Sequence, residues 1–175
     1  METLIKTKWA IDPSHSEFAF NVKHMMISTV RGHFEDFQAI VESDREDFQD
    51  ATIYVSAKID SIRTKNSDRD AHLKSEDFIN ASEQPELNFE SKSFARRRLR
   101  GDLTIRGITK EIILDVDFNG VAVDPYGQTK AGFEISGEIN RKDFDLKWDA
   151  ITEAGSIVVS DRVKLAVDAQ FIKQE

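Results

Sequence analysis

The feature that most constrains this chain is an apolar–polar alternation with period two that recurs along most of its length. Phe18, Phe20 and Val22 fall on one side, with Glu17, Asn21 and Lys23 on the other. The same rhythm runs through Ile53, Val55, Ala57 and Ile59, through Leu99, Leu103 and Ile105, and through Ile112, Leu114, Val116 and Phe118. It returns in Ala131, Phe133, Ile135 and Ile139, and in Val163, Leu165, Val167, Ala169 and Phe171. Successive side chains of a strand leave opposite faces, so each segment has one apolar and one wet face. Weaker strands fit near 32–42 and 86–94, giving about eight in all. Strands of this kind form antiparallel sheets that face water on one side. Two strong helices able to cover an open sheet are missing, so the expected class is all-β, with the sheet closed as a barrel or sandwich. About eight strands is the number at which a barrel can hold one small ligand.

Turn signals separate the strands. Pro13 precedes the Phe18 segment, and Asn119-Gly120 and Asp124-Pro125-Tyr126-Gly127 follow Phe118. The connection at 62–85 does not alternate. Ser67 or Asp68 can cap a short helix there, with Asp70 in its first turn. A connection this long is expected to lie across one end of the barrel. Nothing marks a domain boundary in the 175 residues, so one domain, 1–175, is expected.

Charge and composition exclude several roles. A net charge of −8 disfavours nucleic acid and anionic membranes as partners. Against it stands a basic run, Arg96-Arg97-Arg98 with Arg100, expected to be a solvated hairpin flank, with a phosphate or partner patch as the alternative. There is no Cys, hence no disulfide, thiolate metal site or thiol nucleophile. No apolar run reaches the ~18 residues of a membrane span. Met1 to Lys8 lacks a basic start followed by an apolar stretch, so a cytoplasmic location is expected, or a periplasmic one if a leader has been trimmed. The 12 Phe against 2 Trp and 2 Tyr make an aromatic interior short of hydroxyl groups.

Catalytic signatures are scarce. There is no Gly-rich phosphate loop, dinucleotide fingerprint, nucleophile elbow or paired-His zinc helix. His24 and His33 flank a Met-rich turn near Glu35 and Asp36 without diagnostic metal spacing, so hydrogen bonding is the default reading. Asp12, His15 and Ser16 resemble fragments of a triad but lie too close along an extended chain, and turn chemistry is expected. No catalytic residue, metal or other cofactor is therefore assigned. Arg69, His72 and Lys74 could form a polar collar for an anionic or quinone-like head group. The candidate ligand lining is Phe18, Phe20, Val22, Ile53, Val55, Leu103, Ile105, Leu114, Val116, Phe133 and Ile135. Small inward residues (Ala51, Ala57, Gly101, Ala131, Gly137, Ala169) are expected to leave a tunnel among the bulky ones.

Four blocks together resemble the YceI-like family. The first is Trp9-Ala10-Ile11-Asp12-Pro13-Ser14-His15-Ser16, with Phe20, Val22-Lys23-His24 and Val30-Arg31-Gly32-His33-Phe34. The second is Ser61-Ile62-Arg63-Thr64, Asn66 and the run from Arg69 to Phe78, with Pro85 and Phe89-Glu90-Ser91. The third runs from Gly101 to Lys110, and the fourth is Asn140-Arg141-Lys142-Asp143-Phe144 with the strand from Val163. They span nearly the whole chain in the family's order. The resemblance implies a lipocalin-like, eight-stranded antiparallel barrel whose tunnel binds a polyisoprenoid or similar lipid; with no catalytic constellation in the sequence, transport or storage rather than an enzyme is expected. It also implies frequent export to the periplasm and leaves a homodimer open. Asp145 follows Phe144 where the family often has Gly. Two alternatives remain: a metal-dependent enzyme acting on such a lipid, and a filled barrel that works through its surface.

Overall fold

The computed structural model describes residues 6–25, 27–147 and 159–174. Its strands are β1 (Lys8–Ile11), β2 (Glu17–His24), β3 (Ser28–Phe34), β4 (Phe37–Glu42), β5 (Thr52–Lys58), β6 (Ile62–Arg63), β7 (Glu86–Ala95), β8 (Arg98–Ile105), β9 (Ile108–Val123), β10 (Thr129–Asn140) and β11 (Val159–Lys173), with one helix, α1 (Ser67–Lys74). Residues 1–5, which carry part of the N-terminal reading, and Met26 of the Met-rich turn lie outside the described residues.

The eleven segments make eight strand paths, because three paths are each broken once. β1 and β2 both lie along β11, which pairs Phe171 with Ile11 at one end and Leu165 with Phe20 at the other. β4 and β3 take the next path, pairing with β1 and β2 respectively. β5 and β6 take the third, pairing with β4 and β3. Then β7 to β11 follow in order, each antiparallel to its neighbour, and the β1–β11 pairing closes the ring. The result is an up-and-down barrel, one of the two closed forms the alternation allows.

The three breaks lie side by side and bend the sheet along one line. At Pro13–His15 a 3₁₀ turn separates β1 from β2, and Asp12 caps it by accepting from the Ser14 amide. Across the break the Ser16 hydroxyl accepts from the Gln170 amide at 2.9 Å. At Glu35 and Asp36, the Glu35 amide donates to Ser61 O at 3.1 Å, and Asp36 O accepts from the Lys58 amide at 2.9 Å. These bonds satisfy backbone groups that the interrupted ladder leaves over. Beyond the bend, β6 pairs with β3, and no β6–β7 pairing occurs among the described residues. The flared edge is covered by α1 and the rest of 64–85.

Two turn assignments are corrected. The helix cap is Asn66, whose side chain accepts from the Arg69 amide, one residue before the expected Ser67 or Asp68. Asn119-Gly120 is not a turn. β9 continues through it to Val123, and Gly132 pairs with Gly120 while Phe133 pairs with Phe118, leaving Asn119 as the extra residue of a bulge. The turn is at 124–128, where Asp124 Oδ1 accepts from the Tyr126 and Gln128 amides, each at 2.9 Å.

The inner faces meet in one apolar core, in which Phe144, Ile59, Ile62 and Leu99 are the largest fully enclosed side chains among the described residues. The basic run is a hairpin flank. Arg98 pairs with Asp115 and Arg100 with Glu111 on the outer face of β8 and β9, and Arg97, in the turn before β8, pairs with Asp117.

Candidate functional site

Two adjacent chambers with part of their walls in common occupy the barrel interior. The mouth chamber lies within the flared half, has a volume of about 510 Å³, and is enclosed by β2, β3, β6, α1, Phe78 and Ile79 and by the facing parts of β7, β8, β10 and β11. The deep chamber continues toward the opposite end with only about 80 Å³ of space and a wholly apolar wall. Phe18, Leu87, Leu103 and Leu165 border both and form the waist between them. An apolar protein cavity of ~150 Å³ stays dry and takes up benzene, so the mouth chamber has room for an alkyl or isoprenoid segment.

All eleven candidate lining residues border one chamber or the other. Phe20, Val22 and Ile105 face the mouth chamber, while Ile53, Val55, Leu114, Val116, Phe133 and Ile135 face the deep one. Phe18 and Leu103 face both. Leu87 and Phe89 line the wall as well and are absent from the sequence-based set, although their alternation along β7 marks them as inward.

The expected origin of the space is corrected for its glycines, whereas Ala51 and Ala169 do border the deep chamber. The inward glycines are covered rather than open: a Cβ on Gly101 would strike the Phe89 ring and Glu90 O, one on Gly137 would strike Leu114, and one on Gly32 would strike the Phe20 ring. The glycines let neighbouring side chains lie flat on the wall. The larger chamber lies in the half of the barrel beyond the three strand breaks, where β6 does not pair with β7.

The rim of the mouth is polar. Thr64, Asn66, Asp68, Arg69 and His72 border it from the α1 side, with Lys23, His24 and Arg141 opposite. Arg69 is positioned through its Nε, which donates to Thr64 Oγ1 at 2.9 Å. His72 lies 3.1 Å from Asp77 and packs edge-on to Phe78. Lys74, expected in the same collar, does not border the chamber. It sits in the last turn of α1, two residues beyond His72, a spacing that puts it on a different side of the helix. Buried Arg141 was not picked out by sequence reasoning. Its Nη1 donates to Leu146 O and its Nε to Ser160 O at 3.0 Å, so it ties together the two chain segments flanking 148–158.

The other constellations resolve as local structure. His24 borders the mouth chamber, whereas His33 lies on the outer face of β3, 3.8 Å from Glu35. Among the described residues no three of His, Asp and Glu converge as a metal-binding group. The Asp12 carboxylate accepts from Ser14 Oγ at 2.8 Å and Lys130 Nζ at 3.2 Å and lies 2.9 Å from His15 Nδ1. Burial acts to raise its pKa but is outweighed by these bonds, which hold it well below the usual carboxylate range. This cluster fixes the first strand break to the β9–β10 hairpin.

Comparison with known proteins agrees with this architecture. The profile of the YceI-like domain matches residues 9–171. UPF0312 protein SA2479 of Staphylococcus aureus is 40% identical over 168 residues, covering 94% of this chain and 97% of its own. The crystal structure of the Campylobacter jejuni YCEI protein superposes with a TM-score of 0.73 at 31% identity, covering 87% of this chain and 90% of that one. A polyisoprenoid binding domain from Saccharophagus degradans shares the fold, with a TM-score of 0.73 at 11% identity over 95% of this chain and 98% of its own. The closed barrel, the match across almost the whole chain and the identity to these relatives lead to one conclusion: the chain belongs to the YceI-like family.

Proposed function

We propose that this protein binds a long apolar lipid (a polyisoprenoid, an isoprenoid quinone or a fatty chain) non-covalently in the barrel, tail inward and head at the polar rim, for transport or storage, with no catalytic step. The observation that carries this reading is the mouth chamber of about 510 Å³, apolar in its walls and polar at its rim, leading to a wholly apolar deep chamber. Each methylene moved from water into such a space gains roughly 0.8 kcal/mol, offset in part by ordering of the chain. The polyisoprenoid-binding domain of the same fold supports the ligand class. Arg69, with His72 beside it, is the group we assign to an anionic or quinone-like head.

Native mass spectrometry of freshly purified, tag-free protein, followed by solvent extraction, tests the reading. A discrete lipid adduct is expected, or uptake when such lipids are offered to apo protein. A clean apo mass with no uptake points to a protein that works through its surface. Arg69→Ala should weaken an anionic-head lipid about tenfold more than a neutral one of the same chain length, consistent with loss of one charge-assisted hydrogen bond. Equal weakening of both removes the head-group assignment.

A further inference from the structure

The far end of the barrel is closed by the loop at 43–51, which links β4 to β5. One residue of that loop, Phe48, borders two separate spaces. Its ring is part of the deep-chamber wall, and it is also part of the wall of a groove of about 440 Å³ on the base of the barrel. Trp9, Phe118 and Val121 supply the groove's apolar floor, and Ser43, Arg45 and Lys173 its polar edge. Phe48 is 2% exposed and packs against Trp9 at 5.3 Å and against Phe118 and Phe133 at 5.1 Å each.

The ring is held in place from the backbone. Phe48 has φ of 59°, a left-handed conformation that a bulky residue adopts only when its surroundings impose it. The surroundings do so on both sides of it. Asp50 accepts from the Asp44 amide at 2.9 Å and the Arg45 amide at 3.3 Å, and is bonded by the Ser43 hydroxyl. Gln49 donates to Arg96 O at 3.2 Å and accepts from the Arg96 amide, which fastens the loop to the β7–β8 turn.

We propose that Phe48 is a fixed stop that sets the length of lipid chain the interior accepts, an inference that rests on the lipid-binding reading above. A chain entering at the mouth passes the waist, fills the small deep chamber and meets the ring. Trimming the ring joins the deep chamber to the basal groove and lets a longer chain run on through the base.

The test compares delipidated wild-type protein, Phe48→Ala and Phe48→Leu with linear primary alcohols from decanol to tetracosanol, reading affinity by native mass spectrometry and competition. Wild-type affinity should rise with chain length and then level off. In the variants the levelling should move to longer alcohols, with decanol unchanged and the longest alcohols held roughly tenfold more tightly, as two further methylenes out of water would give. Phe48→Leu keeps the loop packed and carries the test if Phe48→Ala no longer melts cooperatively. A folded variant whose length profile superposes on that of the wild type overturns the stop and leaves lipid binding standing. Wild-type protein that takes up no alcohol or lipid of any length overturns both.

Discussion

Gly32 and Gly101 both lie beneath an aromatic ring, but they should respond differently to a methyl group. At Gly32 the added Cβ meets only the end of the Phe20 ring, which can swing into the mouth chamber. Gly32→Ala should therefore change stability little and weaken lipid uptake, because the displaced ring occupies ligand space. At Gly101 the Cβ also meets Glu90 O, a backbone atom of the neighbouring strand that cannot swing away. Gly101→Ala should cost about 1–3 kcal/mol in urea unfolding, the usual range for overpacking. Equal stability of the two variants would show that the sheet gives way at Gly101. Asp145 makes a related point. Its φ of 60° at the end of the Arg141–Phe144 turn is left-handed, a conformation glycine adopts freely and Asp tolerates better than most residues. A glycine at this position would serve the same backbone shape.

At the scale of elements, α1 has little apolar holding power. It has eight residues, and the one buried among them is Asp70. So short a helix is marginal by itself. What fixes it is a polar clasp: Asp70 accepts from the Thr64 amide at 2.9 Å and from the Thr64 hydroxyl, and Arg69 donates to the same threonine. Leu73, Phe78 and Ile79 then pack this segment onto the core. Asp70→Ala should leave the buried Thr64 amide unsatisfied, costing about 1–3 kcal/mol, and should speed amide exchange in α1 ahead of the barrel strands. If exchange rises equally throughout the molecule, the helix and barrel open as one unit. The three broken strand paths belong to the same scale. Each break is stitched to a neighbour by backbone or serine bonds, so the flare is a built feature of the sheet.

For the molecule as a whole, two carboxylates couple distant segments and set its response to acid. Asp12 joins the first strand break to the β9–β10 hairpin through Lys130, which also pairs with Asp124. Asp50 organises the 43–51 loop and binds Lys6 near the N-terminus. Burial acts to raise Asp50, but bonds from Ser43 and the Asp44 and Arg45 amides outweigh it and bring its pKa to about 2. Both groups titrate lower in the folded chain than their ordinary value of 3.8. Their stabilisation is therefore fully present above that value and is lost as the pH falls through the folded values. The urea midpoint should fall steadily below about pH 4, and Asp50→Asn should flatten that fall. A midpoint that holds constant to about pH 2 would mean that these carboxylates contribute no pH-dependent stability.

The sequence by itself determined the all-β class and the inward face of nearly every strand, because a period of two leaves each strand only one way to bury its apolar side; it left barrel and sandwich open until the family resemblance favoured an eight-stranded barrel. All eleven residues it assigned to the lining border a chamber, since Phe18, Ile53, Leu103, Phe133 and the rest follow from that parity, although Leu87 and Phe89 were left out. It flagged the first strand break, through Pro13, but could not locate the other two. Breaks at Pro13–His15, Glu35–Asp36 and Ile59–Ser61 preserve the apolar rhythm on either side, and their alignment across three paths exists only once the strands pair. Where the cavity opens was likewise a tertiary decision. Gly101 and Gly137, which suggested a tunnel, are covered by Phe89 and Leu114, and the larger chamber lies in the half of the barrel beyond the strand breaks. Lys74 left the rim because two residues along a helix turn a side chain far from its neighbour, and Arg141 entered it through backbone carbonyls that carry no sequence signal. Periodicity encodes which side of a strand faces inward; how much room the inside contains depends on long-range pairing and on which large side chains lie flat.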